Sequence, residues 1–222
     1  MKEYIDLLSK NPLFNDIDKG YICFLLDCLS AKTKTYYKDE PIFEAGSRPE
    51  YVGIVLSGSA FVLQEDYWGN RNILSNIGVG GIFGEAFSCA EAAALPVSVI
   101  AKEDSVILLI NVKKILTICS TACAFHTSLI MNLMRILANK NRYLTRKIEH
   151  ITKKTTREKV LSFLSECAVQ GGKNTFEIEF NRQELADYLS VERSALSAVL
   201  SKMKEEGIID YYKNTFRLTD KK

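Results

Sequence analysis

From residue 180 onward the apolar positions change period twice, first helical and then strand-like. Leu185 and Leu189 share one helical face, Ser190-Val191-Glu192 interrupts it, and Leu196, Val199, Leu200 and Met203 follow at i, i+3, i+4 and i+7. Asn181, with Glu184 three residues on, has the look of a capping box ahead of the first of these helices. Gly207 stops the second, and IIDYY and TFRLT then read as two strands around Lys213-Asn214. The pattern predicts a helix-turn-helix followed by a β-wing.

Upstream, residues 112–151 contain no glycine or proline. Their core, SLIMNLMRILANKNRYLTRKIEHI, predicts one long helix. Ile130, Leu133, Leu137, Leu144 and Ile151 fall in a heptad register, with Lys140 and Lys147 completing the three- and four-residue steps. Such a stripe needs a second helix, and a second copy of the chain is the economical source. The polar stretch ITKKTT (151–156) predicts a connector, with Thr156 capping the helix REKVLSFLSECA and Gly171-Gly172 ending it.

Residues 33–110 behave differently. Short β-type runs (YVGIVLS, AFVLQED, NILSNI, VSVIAKE, SVILLI) alternate with recurring glycines, which predicts an antiparallel sandwich or barrel. Gly69-Asn70 within DYWGN would turn one hairpin. Residues 1–30 read as short helices broken at Asn11-Pro12. The fold class expected is therefore α+β, with a β-rich domain and its N-terminal helices over 1–111, a dimerisation helix region over 112–151 and a winged helix-turn-helix over 152–222.

Composition narrows the function. A net charge of +2 excludes a broadly polybasic chain, so any nucleic-acid surface must be local. No apolar run is long enough to span a membrane, and the start MKEYIDLLSK lacks a secretory core, so a cytoplasmic location is expected. The six cysteines form no CxxC pair and read as buried small hydrophobes. A metal or redox role for Cys119 and Cys123, four apart with His126 nearby, stays open. A cupin-like metalloenzyme would need clustered histidines on its strands, and residues 33–110 contain none. No Ser-His-Asp or Cys-His arrangement is discernible, so the chain is not expected to be an enzyme.

Two stretches carry candidate chemistry. On the second helix of the C-terminal pair, Arg193, Ser194, Ser197, Ala198, Ser201 and Lys202 are left facing outward. Small hydroxylated residues let a helix enter a groove, an arginine at its start can read a guanine edge, Lys202, Lys204, Lys213 and Arg217 suit phosphates, and Arg182 is counted with the DNA-binding set. The other stretch is GEAFSCAEAAALPVSV (84–99), a glycine turn running into helix-forming residues, which is a form of anion site. Yet no Lys or Arg occurs between Arg71 and Lys102.

In this order the segments resemble the Crp/Fnr family of bacterial transcription regulators. The resemblance rests on Glu40-Pro41-Ile42-Phe43-Glu44-Ala45-Gly46, Gly53 to Gly58, Phe83-Gly84-Glu85, the long helix, Asn181 to Ala186 and Glu206 to Ile209. It implies an N-terminal double-stranded β-helix (a jelly-roll, cupin-like β-roll) that senses a small molecule. It also implies a homodimer, a palindromic DNA operator and action on RNA polymerase. Members that bind cyclic AMP use a Gly-Glu pair for the ribose, matched by Gly84-Glu85, and an Arg-Ser pair for the phosphate. That second pair falls on Leu95-Pro96, which cannot neutralise a phosphate, so cyclic AMP is not the expected effector. The effector-binding set expected is Gly84, Glu85, Ala86, Leu95, Pro96 and Val97. Lys140 and Asn141 join it from where the family's long helix meets ligand, and Arg71 and Lys140 are the cations that could serve an anion. The iron–sulfur members' N-terminal cysteine cluster is absent, and no axial haem ligand is placed. A ligand-independent DNA-binding dimer with a vestigial pocket is the alternative.

Overall fold

A computed structural model describes residues 2–65, 67–68, 71–117 and 124–219. The chain divides into two units, 1–138 and 139–222.

In the first unit, helices α1 (Ile5–Leu8) and α2 (Lys19–Cys28) precede strands β1 (Lys32–Tyr36), β2 (Pro41–Phe43), β3 (Tyr51–Ser57), β4 (Ala60–Glu65), β5 (Arg71–Ile77) and β6 (Ile82–Phe83). Helix α3 (Glu85–Cys89), strands β7 (Ser98–Ala101) and β8 (Ser105–Asn111), and helix α4 (Val112–Leu116) follow, and α5 (Ala124–Ile151) begins in this unit. The strands form two four-stranded antiparallel sheets, β1-β8-β3-β6 and β2-β7-β4-β5, the jelly-roll expected. The run Val52 to Leu56 reads as continuously apolar because both faces of β3 are covered. Val52, Ile54 and Leu56 join the core made with α1, α2 and α5, and Val55 joins the core between the sheets with Tyr36, Ala60 and Phe83. Gly53 makes room for Phe83: a Cβ there would stand 2.2 Å from the ring.

The second unit takes the last turns of α5, then α6 (Thr156–Gly171), β9 (Thr175–Glu177), α7 (Arg182–Leu189), α8 (Arg193–Glu205), β10 (Ile209–Tyr212) and β11 (Thr215–Leu218). The three strands order as β10-β11-β9. One core unites Val160, Phe163 and Leu164 of α6, Leu185 and Leu189 of α7, Leu196, Leu200 and Met203 of α8, and Phe216 of β11.

The structure sharpens several expectations. The expected domain boundary at 151/152 and the unit boundary at 138/139 differ because Tyr143 and His150 on α5 pack their rings on Tyr188 of α7. Thr155, not Thr156, caps α6: its side chain accepts from Glu158 N, and Glu158 accepts in return. The capping box at Asn181 and Glu184 is present as expected. Strand β9, three residues long, has no counterpart in the sequence pattern. The Gly69-Asn70 turn and the Cys119/Cys123 pair lie outside the described residues. No helix among the described residues is long and apolar enough to cross a membrane.

Candidate nucleic-acid interface and effector loop

The turn between α7 and α8 is three residues long. Ser190 adopts a left-handed φ of 51°, and Val191 N donates to Ala186 O at 3.0 Å, folding the chain back at once. Leu196, Leu200 and Met203 then anchor α8 from below. Its opposite face is exposed: Arg193, Ser194, Ser197, Ala198, Ser201 and Lys202 all reach solvent. Ser197 Oγ donates to Arg193 O at 3.0 Å, which leaves the exposed hydroxyl oxygen able to accept.

The cations of this unit fall into two groups. Arg157 pairs with Glu206, Lys204 bridges to Asp210 at 2.7 Å, and Lys159 Nζ reaches the carbonyls of Leu189 and Ser190 at 3.3 Å. These hold the fold together. The side chains of Arg193 and Lys202 make no hydrogen bond or ion pair among the described residues and remain available to a polyanion.

Arg182, counted with the DNA-binding set from the sequence, belongs to the first group. Its Nη2 donates to Lys213 O at 2.7 Å, and its guanidinium lies 5.0 Å from the ring centroids of both Tyr211 and Phe216. Burial lowers its pKa from the usual arginine value. It ties the start of α7 to the wing turn, where Lys213 has a φ of 51°. Lys213 itself is exposed, its Nζ 5.6 Å over the Tyr212 ring at the tip of the wing. Arg182→Ala is therefore expected to cost about 1–2 kcal/mol of stability through the lost stacking and hydrogen bond. Chemical denaturation checks this, and an unchanged midpoint would return Arg182 to the role of surface cation.

In the first unit, Gly84 caps α3 with φ 81°, and the helix ends at Cys89 before the chain turns at Glu91 (φ 50°). Glu85 is buried and Ala86 exposed. Leu95 is buried where a phosphate-binding arginine was the family expectation. Its amide donates to Ser47 O at 2.9 Å and its carbonyl accepts from Gly46 N at 2.8 Å. Val97 is buried and Pro96 exposed. Arg71 opens β5 opposite Glu65. Lys140 and Asn141 are exposed on α5 within the second unit, and Thr145 Oγ1 donates to Asn141 Oδ1 at 3.3 Å.

The apolar stripe of α5 runs in a different register from the one expected. Leu129, Leu133 and Ile136 are buried in the helix's own core, so Leu133 is not available to a partner. Met134, Leu144 and Ile148 are more than half exposed at 57%, 55% and 55%. With Ile130, Leu137, Asn141 and Ile151 they step 4-3-4-3-4-3 along the helix. Asn141 and Ile148 thus stand where Lys140 and Lys147 were expected, and Lys147 lies 5.6 Å over the Tyr188 ring.

Comparison with known proteins agrees with these two units. Residues 33–122 match a cyclic nucleotide-binding domain and residues 158–222 a Crp-like helix-turn-helix domain. The chain is 24% identical over 202 residues to the cyclic AMP receptor protein of Thermus thermophilus, covering 91% of this chain and 89% of that one. Among solved structures, the catabolite activator protein of Thermus thermophilus superposes with a TM-score of 0.56 at 23% identity, covering 94% of each chain. A CprK variant complexed with OCPA gives 0.63 at 16% identity, covering 88% of each.

Proposed function

We propose, on the premise that the chain belongs to the Crp/Fnr family of DNA-binding transcription regulators, that it acts as a homodimer on a palindromic operator under the control of a small molecule other than cyclic AMP. The observation that carries the DNA reading is the face of α8. Arg193, Ser194, Ser197, Ser201 and Lys202 are exposed there, and Arg193 and Lys202 stay free while neighbouring cations are consumed by the fold. Arg193 at the start of α8 is the base-reading residue, and Lys202 and Lys213 meet phosphates. Two copies would place their recognition helices about one helical turn of DNA apart, roughly 34 Å.

The dimer is supported by the exposed 4-3-4-3-4-3 stripe of α5. Asn141 within it acts as the polar layer that fixes parallel register at some cost in stability. RNA polymerase as partner and a cytoplasmic location follow from the family reading.

Cyclic AMP does not fit the loop. Its phosphate needs a cation, and the matching position holds Leu95, buried and stitched by main-chain bonds to Gly46 and Ser47. That filled position also favours the second reading, a dimer that binds DNA without a ligand. Operator titration tests these readings together. Arg193→Ala is expected to weaken specific binding about 10- to 100-fold while changing binding to random DNA little. Cyclic AMP is expected to leave the wild-type curve unmoved. An equal loss on random DNA would make Arg193 a phosphate contact only.

A further inference from the structure

The second unit contains a cleft of about 290 Å³ between α5 and α6, with Tyr188 of α7 at its base. Its floor is aromatic and apolar: Phe163, Tyr188 and the Cys167 thiol, which burial keeps neutral by pushing its pKa up to about 11. Tyr143 makes one wall, its ring 5.8 Å from that of Tyr188. Arg142 and Arg146 stand at the rim. Arg142 makes no ion pair among the described residues, and Arg146 uses only Nε, which donates to Glu166 Oε1 at 3.0 Å. The charge of the Glu166 carboxylate at this point is offset by the paired Arg146 guanidinium. Arg146, Gln170 and the His150 ring already engage both of its oxygens.

The position of the cleft matters as much as its lining. Asn139, Tyr143, Arg146 and His150 step 4-3-4 along α5, on the side roughly opposite Leu137, Leu144 and Ile148. A partner helix seated on the apolar stripe would therefore leave the cleft open. An aromatic floor with converging cationic donors at the rim is the chemistry of a small-molecule site. Guanidinium groups bind carboxylates through paired N–H donors, and the tilted Tyr143, Phe163 and Tyr188 rings offer an apolar surface for an aromatic group.

We propose that this cleft is a binding site for a small planar aromatic carboxylate, distinct from the β-roll loop. The ligand's rings lie against the exposed parts of Tyr143, Phe163 and Tyr188, and the carboxylate meets Arg142 and the free Nη atoms of Arg146. The proposal needs no DNA reading to hold, because binding is measured directly. Calorimetric titration of the full-length protein with 2-naphthoate is expected to show one saturable site per chain. Arg142→Gln should weaken it about tenfold or more, and 2-naphthylmethanol, which lacks the charge, should bind about tenfold more weakly than the acid. Tyr143→Ala should weaken it severalfold, and Lys153→Gln on the connector should leave it unchanged. Absence of saturable heat, binding indifferent to Arg142→Gln, or equal binding of the neutral alcohol each overturns the assignment.

Discussion

Gly84→Ala is expected to destabilise the protein by about 3 kcal/mol, lowering the unfolding midpoint by about 10 °C. Two costs add. The residue sits at φ 81°, where a non-glycine residue pays on the order of 1–3 kcal/mol. A Cβ there would also stand 2.7 Å from Cε2 of Phe43 and 2.8 Å from the carbonyl oxygen of Tyr51. Phe43 cannot retreat easily, because its ring meets that of Phe83 edge-on at 5.3 Å inside the sandwich. Nor can the Tyr51 carbonyl, which lies 2.9 Å from the Ser88 hydroxyl at the far end of α3. Scanning calorimetry of wild type and variant decides it. A shift of only a degree or two would mean that the glycine is not required by the backbone and that its place in the Phe83-Gly84-Glu85 motif is explained by ligand alone.

That glycine illustrates what a sequence makes legible. Its presence before a helix-forming run is readable, but the reason for it is not, since Phe43 and Tyr51 are far away in the chain. Patterns with a short period fared best. β3 matches its apolar run residue for residue, and the stripe of Leu196, Leu200 and Met203 lies buried as the spacing predicts. Where a side chain had two apolar surroundings to choose from, period alone could not decide. Leu133 suits a heptad seam and its own core equally, and the core formed with α1 and α2 claims it. Cations were ambiguous for a similar reason. Arg182 and Arg193 look alike in the sequence, and only the third dimension shows one stacked on Tyr211 and Phe216 and the other free. β9 was missed because three residues carry too little alternation to register, and its pairing with β11 is long-range.

His150→Ala is the second large effect, expected to remove about 3 kcal/mol. The imidazole is 2% exposed at the end of α5, and both ring nitrogens are engaged by α6. Nε2 donates to Glu166 Oε2 at 2.7 Å, and Nδ1 lies within hydrogen-bond distance of the Ser162 hydroxyl at 2.9 Å. The Phe163 ring packs against it edge-on at 86°. Truncation leaves a cavity among Phe163 and Tyr188 and strips two polar groups of a partner, and each of these losses costs about 1–3 kcal/mol. The loss concentrates at one place, the short connector over which α5 hands the chain to α6. The connector itself is polar and exposed from Thr152 to Thr155, so this side-chain cluster is what fixes the angle between the two helices. A double-mutant cycle with Glu166→Ala separates coupling from simple cavity formation. Urea denaturation of the full chain should give an interaction energy of about 1–3 kcal/mol between His150 and Glu166. Additive losses would show instead that His150 serves only to fill space, with the angle between α5 and α6 set by the apolar packing around Val160 and Leu164.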